Sequence, residues 1–402
     1  MNRDASLILV AGGLLVAGVG ASLVARRIRV PALVLFLAIG MAIGTDGVGW
    51  IGFDDYEFAR TIGSIALLLI LYEGGLGAGF RTIRPVLGPA VSLAIVATIV
   101  TAVIAGLAAS LVFGFSVKEG LLLGAILSAT DGAAVFALLR GSRVPARLAR
   151  ALEGEAGFND PVAVLLVLVM IKLIGHPGYG AGEAAVFLVE QILVGGVVGV
   201  VVGRLAGAGL SWAGRAGGPG GAGGGAPAGL LLVGSLAGAG IAYGAAGVLG
   251  GSGFLAVYLA GLSLGDVELA ERPALLAFHE GLASVAEIGL FLALGLLVFP
   301  SQLGHVALKG VLLALIVALI ARPVAAGLAT VGSGLSRGER VVLGWAGLRG
   351  AIPVVLATFL IIAGVPGSLR FFNVVFFAVL VSAVVQGSTV EPLARRLGVI
   401  EA

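Results

Sequence analysis

Glu73 in ILYEGGL, Asp131 in SATDGA, Glu155 and Asp160 in GEAGFNDPV and Arg349 in GLRGA all lie in stretches otherwise apolar enough for a bilayer. A charge at the centre of a membrane helix costs about 2.5 to 3.5 kcal/mol on insertion scales, so each placement needs a use. In residues 151–174, ALEGEAGFNDPVAVLLVLVMIKLI, Glu155 and Asn159 are spaced i, i+4 and share a helix face. Asp160 is turned about 100° further round, so the two carboxylates can do different work. Arg349 stays charged at any accessible pH, and a buried Arg349 needs a carboxylate partner. Glu155 is the first choice and Glu73 the second, and the pair would fasten the twelfth predicted helix to the sixth. Asp160 is then left without an obvious counter-charge. Such a carboxylate holds a proton or a small cation, but both at once poorly, and that competition is exchange chemistry.

Asp131 stands beside the hydroxyls of Ser128 and Thr130, where a Gly-rich fifth helix should unwind. Unwound carbonyls, hydroxyls and carboxylates are the hard oxygen ligands that Na⁺ or K⁺ takes. Asp131 can instead cap the exposed N-terminus of a facing half-helix. The Asn159 amide can orient Asp131 or a freed backbone group.

The elements that position these residues must be membrane helices. Of the 402 residues 59% are hydrophobic and 11% charged, with a mean hydropathy of +1.16, outside the range of soluble domains. At about 20 apolar residues per crossing, such a chain is filled by spans and leaves no room for a soluble catalytic domain. The 68 glycines are scattered through apolar runs and fit close helix packing, except in GRAGGPGGAGGGAP (214–227), which reads as a flexible loop. Cysteine is absent, which excludes disulfides and thiolate chemistry. The net charge of +3 sits on arginines between apolar runs, a pattern of topology rather than of nucleic-acid binding. The N-terminal run ends in a basic cluster, not a cleavage site, and reads as a first span.

Apolar runs fall at about 6–25, 31–49, 61–80, 86–114, 119–140, 153–174, 182–203, 227–248, 252–265, 284–299, 304–330, 339–363 and 371–390, which predicts thirteen helices. With the N-terminus outside, the inner segments carry most of the arginine, including Arg26, Arg27, Arg29, Arg140, Arg143, Arg337, Arg340, Arg395 and Arg396, while DDYE (54–57) lies outside. That bias supports an odd number of spans and a cytoplasmic C-terminus. Two six-helix blocks about a lone seventh helix (182–203) would be inverted repeats, about 6–174 and 227–390, of the kind secondary transporters use. LSATDGAAV (127–135) and GLRGAIPVV (347–355) occupy the same ordinal place in the two blocks, each with a charge among glycines.

Enzyme readings fit poorly. Asp131 and Asp266 lack the flanking residues of intramembrane aspartyl proteases, HEGLA (279–283) lacks the second histidine of a zinc protease, and no lysine follows glycine as a phosphate loop requires. Transport is therefore secondary or passive. A sodium-coupled symporter should show a wider polar cavity for an organic solute, and an ion channel would pass current without a proton gradient.

Together, TD in the fifth helix, E-x-x-x-N-D-P in the sixth and W-x-G-L-R-G-A-x-P in the twelfth resemble the monovalent cation:proton antiporter superfamily, in its NhaP-type, sodium/proton-exchanger-like branch. The stretches 278–301 and 371–399 look like bacterial potassium/proton antiporters of that branch. The resemblance implies an all-α polytopic membrane protein, a single domain over 1–402, in which interrupted helices five and twelve cross near the midplane. It implies a homodimer in a bacterial inner or plasma membrane that exchanges K⁺ or Na⁺ for H⁺ without a cofactor. It assigns exchange to Asp160, completes the cation site with Asp131 and Thr130, places Glu73 near the ion and pairs Glu155 with Arg349. Asn159 before Asp160, where electrogenic relatives carry two aspartates, implies one-for-one electroneutral exchange. Ala156 departs from relatives with a serine ligand at that place. Many potassium/proton relatives continue into a soluble C-terminal regulatory domain, which this sequence does not include.

Overall fold

The computed structural model describes residues 3–28, 30–131, 145–176, 178–215 and 226–400, and every regular element among them is helical. They form α1 (Arg3–Ile28), α2 (Ala32–Ile43), α3 (Tyr56–Ala78), α4 (Phe80–Phe113), α5 (Val117–Ser128), α6 (Ala146–Gly175) and α7 (Ala181–Arg215). The second part of the chain holds α8 (Ala228–Val248), α9 (Gly253–Gly265), α10 (Arg272–Leu296), α11 (Ala307–Ala329), α12 (Arg337–Trp345), α13 (Ala351–Ile362) and α14 (Ser368–Arg396). Among the described residues nine helices are long and apolar enough to cross a bilayer, and α2, α9 and α13 are shorter apolar helices. The chain is a multi-pass membrane protein. Residues 132–140 of the fifth predicted helix, Arg29, Arg143 and residues 216–225 of the Gly-rich loop lie outside the described residues.

Local chemistry sets the helix ends. Both helices that run into the functional region start with a capping box: Ser116 with Glu119 at α5, and Ser336 with Glu339 at α12. In each, the serine hydroxyl accepts the third N–H of the helix while the glutamate accepts the N–H of the serine, satisfying two otherwise orphaned donors. α2 stops at Ile43, earlier than the predicted 49, because Gly44 turns extended and residues 44–49 close a turn. Asp46 in that turn accepts the Ser301 N–H at 2.7 Å, an interaction that holds its carboxyl below the usual aspartate range.

The tenth helix begins at Arg272, not 284. Pro273 in its first turn is preorganised for a helix start. The polar residues that interrupt the apolar run are accommodated: His279 is buried with Nε2 2.9 Å from Ser235 Oγ, and Glu280 and Glu287 face a cavity.

Glycines bring α7, α9 and α3 into backbone contact. A Cβ at Gly195, Gly199 or Gly203 of α7 would stand 2.6, 2.4 or 2.6 Å from the carbonyl oxygens of Ser252, Ala256 and Ala260. Gly75 and Gly261 mate α3 to α9 in the same way. Small residues at fixed spacing are how membrane helices gain packing contact where lipid offers no hydrophobic drive. Elsewhere the helices are locally loosened, with single π-turns at Leu93–Ala97 in α4, Val317–Ala321 in α11 and Ser382–Gln386 in α14.

Candidate functional site

α5 ends at Ser128, and Ala129 leaves it in an extended conformation. The twelfth predicted helix is two pieces, α12 and α13, separated by residues 346–350. The chain leaving α5 touches this interruption: the Asp131 N–H donates to the Leu348 carbonyl at 2.7 Å. A Cβ at Gly350 would stand 1.9 Å from Asp131 Oδ2, so only glycine lets that carboxylate lie against the backbone. Asp131 thereby sits at the N-terminus of α13, where free N–H groups and the helix dipole favour an anion. Capping and cation binding are both open to it.

α6 passes the crossing with Asn159 and Asp160 halfway along its length. Asn159 is fully buried and donates from Nδ2 to Thr130 Oγ1 at 2.9 Å, which orients the threonine oxygen. Asp160 is 8% exposed, and among the described residues its Oδ1 has no hydrogen-bond partner. Pro161 lacks an N–H, so the carbonyl of Gly157, four residues earlier, loses its helical partner on the same wall. These groups floor a cavity of about 440 Å³ between α3, α6, α10 and α13, with Thr130, Asp131, Asp160, Glu73, Glu280 and Glu287 on its surface.

The structure thus brings together Asp160, Asp131, Thr130 and Glu73, with Asn159 as a buttress behind them. Ser128 is not on the cavity wall; its hydroxyl donates to the Ala125 carbonyl at 2.7 Å. Ala156 is on the wall, without a side-chain oxygen to contribute.

The expected pairing of Glu155 with Arg349 is corrected. Glu155, 2% exposed, is ion-paired with Arg322 of α11, which is 1% exposed. Arg322 follows directly on the π-turn of α11 and precedes Pro323, and the side chain of Gly347 is absent where its Nε and stem pass. Arg349 turns back on its own interruption, donating from Nη1 to the Gly347 carbonyl at 2.8 Å, one of the backbone groups the broken helix leaves unpaired. Sequence reasoning passed over Arg322, although an Arg-Pro step inside ALIVALIARPVAAG was a signal. It also passed over Glu280 and Glu287, which with Ser284 are spaced i, i+4, i+7 and so share one face of α10.

A bundle of apolar helices in which the end of one helix meets the break in another beside a buried carboxylate whose Oδ1 has no partner among the described residues, with hydroxyl and backbone oxygens around it, has the build of a secondary ion transporter. Residues 13–396 match the sodium/hydrogen exchanger transmembrane family, and the chain belongs to that family. It is 39% identical to the K(+)/H(+) antiporter NhaP of Alkalimonas amylolytica over 97% of this chain and 66% of that protein. It is also 39% identical to the K(+)/H(+) antiporter NhaP2 of Shewanella sp. (strain MR-4), over 98% of this chain and 68% of the relative. The chain therefore spans about two thirds of the length of these relatives. The Na(+)/H(+) antiporter NhaH of Halobacillus dabanensis is 27% identical over 96% of this chain and 97% of its own. These named relatives are antiporters rather than enzymes. The fold is that of the sodium proton antiporter MjNhaP1 from Methanocaldococcus jannaschii, with a TM-score of 0.76 at 24% identity, covering 97% of this chain and 99% of that one.

Proposed function

We propose that the protein exchanges a monovalent cation, K⁺ or Na⁺, for H⁺, and that Asp160 carries the proton and the cation by turns. The observation that carries this reading is the unpartnered Oδ1 of a buried Asp160 on the cavity floor beside Thr130 and Asp131. A cation there meets hard oxygen ligands, and its departure leaves a carboxylate that must be neutralised before it can move through an apolar interior. Asn159 adds no second titrating group, which supports one-for-one, electroneutral exchange. The full scheme has thirteen spans, with α12 and α13 as two halves of one, and inverted repeats either side of α7. In this reading the protein is a homodimer in the inner or plasma membrane, with its N-terminus outside and its C-terminus in the cytoplasm, an orientation supported by the Arg-rich segments. In that orientation the cavity, bounded by the end of α3 and the start of α10, opens to the cytoplasm, and switching to the other side completes the cycle.

Proteoliposomes with an acidic lumen test it. Addition of K⁺, Na⁺ or Li⁺ outside should dissipate the pH gradient for at least one ion, and persistence of the gradient with all three would reject antiport. With two protons per cation, each cycle would move one charge, worth about 2.3 kcal/mol per 100 mV. The equilibrium position should therefore be independent of an imposed voltage. A voltage-dependent equilibrium would reject the one-for-one stoichiometry and point to a second carboxylate, with Asp131 and Glu287 the ones to substitute.

A further inference from the structure

An interrupted helix leaves carbonyls without donors at the end of its first half and N–H groups without acceptors at the start of its second. At residues 346–350 these groups are buried, and two side chains of α14 serve them. The Arg349 N–H donates to Ser382 Oγ at 2.9 Å. Ser382 Oγ donates in turn to Gln386 Oε1 at 2.6 Å, and Gln386 Nε2 donates to the Trp345 carbonyl at 2.9 Å. Ser382 and Gln386 are 4% and 2% exposed, so water does not compete for these bonds. The two residues are the first and last of the π-turn in α14, a local geometry found frequently at functional positions.

The bonds form a closed circuit. The serine hydroxyl accepts from one side of the break and donates to the glutamine, whose amide closes on the other side. Loss of either side chain removes one tether and takes from the other the hydrogen bond that orients it. Leu348 lies between the tethered positions and offers its carbonyl to the Asp131 N–H, and Gly350 follows immediately with its backbone against the Asp131 carboxylate. The register of Asp131 is therefore set through the break.

We propose that Ser382 and Gln386 are positioning residues for the cation site, holding the interruption between α12 and α13 open and fixing Asp131 through Leu348 and Gly350. The proposal rests on Asp131 being part of the cation site. Asp160 is on a different helix and is untouched by the circuit. Weakening it should raise the cation concentration for half-maximal exchange while leaving the saturated rate nearly unchanged.

The test compares Ser382→Ala, Gln386→Met, their double variant and Ser382→Thr in proteoliposomes with K⁺ and Na⁺. Ser382→Ala and Gln386→Met should each raise half-saturation about five- to thirtyfold, the range expected when a buried polar group loses its partner. The double variant should lose less than the product of the two single effects, because the Ser382–Gln386 bond couples them, and Ser382→Thr, which keeps the hydroxyl, should stay close to wild type. Amide hydrogen exchange on the same proteins in nanodiscs should show faster exchange at Asp131 and Arg349 in the first three and not in Ser382→Thr. Unchanged half-saturation with unchanged amide exchange would overturn the proposal, and so would a lower thermal midpoint with unaltered affinity. If wild type exchanges no cation, the antiport reading fails, and protection of the Asp131 amide in the variants still decides whether these side chains position it.

Discussion

Glycine serves two regions of this molecule in opposite ways. In the α3–α7–α9 block, Gly75, Gly195, Gly199, Gly203 and Gly261 remove side chains so that continuous helices touch along their backbones. At the crossing, Gly347 and Gly350 sit in a broken helix, leaving space for the stem of Arg322 and the carboxylate of Asp131. The first region is regular, and its packing glycines face neighbouring backbone. The second leaves backbone groups that are met by Ser382 and Gln386 of α14 and by Arg349 itself, and it borders the cavity, whose opposite wall α3 supplies through Glu73. The contrast assigns rigidity to one region and ion chemistry to the other, with few residues shared between them.

The sharpest way to break that division is at the carboxylate. Asp160→Asn keeps volume but removes the exchangeable proton and the charge, so cation-driven dissipation of a pH gradient should fall to the empty-vesicle background. Its thermal midpoint should stay within about 4 °C of wild type. Retention of exchange by folded Asp160→Asn protein would remove Asp160 from the mechanism and blur the distinction between the regions.

The next effect concerns stability at the crossing. Glu155→Gln or Arg322→Met should each cost about 3–5 kcal/mol, because either leaves an uncompensated charge or acceptor in a buried setting. The double variant should lose less than the sum, while Glu155→Gln combined with Arg349→Met should be closer to additive. Thermal unfolding of the six proteins in one detergent reads this directly. Coupling to Arg349 in place of Arg322 would restore the pairing expected from sequence.

The smallest effect should come from the glycine-packed block. Gly199→Leu drives a side chain into the Ala256 carbonyl and should cost about 1–3 kcal/mol, the usual range for overpacking. Cation half-saturation in the folded fraction should not move. A shift in affinity with that substitution would show that the two regions are not independent.

Much of the chemistry was legible in the sequence because charges inside apolar runs are costly and stand out. Asp160, Asp131 and Glu155 were visible for that reason, and the 100° step from Asn159 to Asp160 is seen as Asn159 against Thr130 and Asp160 on the cavity. The partner of Glu155 could be seen as a charge, in the Arg322-Pro323 step, but not as a partner, because nothing in the sequence ties it to a position 167 residues away. The helices that start at Val117 and Arg337 begin two residues before the predicted positions, whereas the tenth starts at Arg272 rather than 284 although Pro273 marks it, because glutamates facing a cavity resemble a loop in a hydropathy profile. The work of Ser382 and Gln386 was equally hidden, since serine and glutamine in VSAVVQG carry no charge to draw notice.

The cavity has an electrical consequence beyond ligand binding. Water and ions filling it as far as Asp160, halfway along α6, would act as a conductor that extends one bulk phase into the bilayer. α5, at 12 residues only about 18 Å long, ends at the point where α13, of the same length, begins. The membrane potential would then drop mostly across the part of the protein beyond the cavity instead of the full hydrocarbon thickness of about 30 Å. A displacement of a few ångströms across a field concentrated in this way suffices to transfer an occupant from one phase to the other.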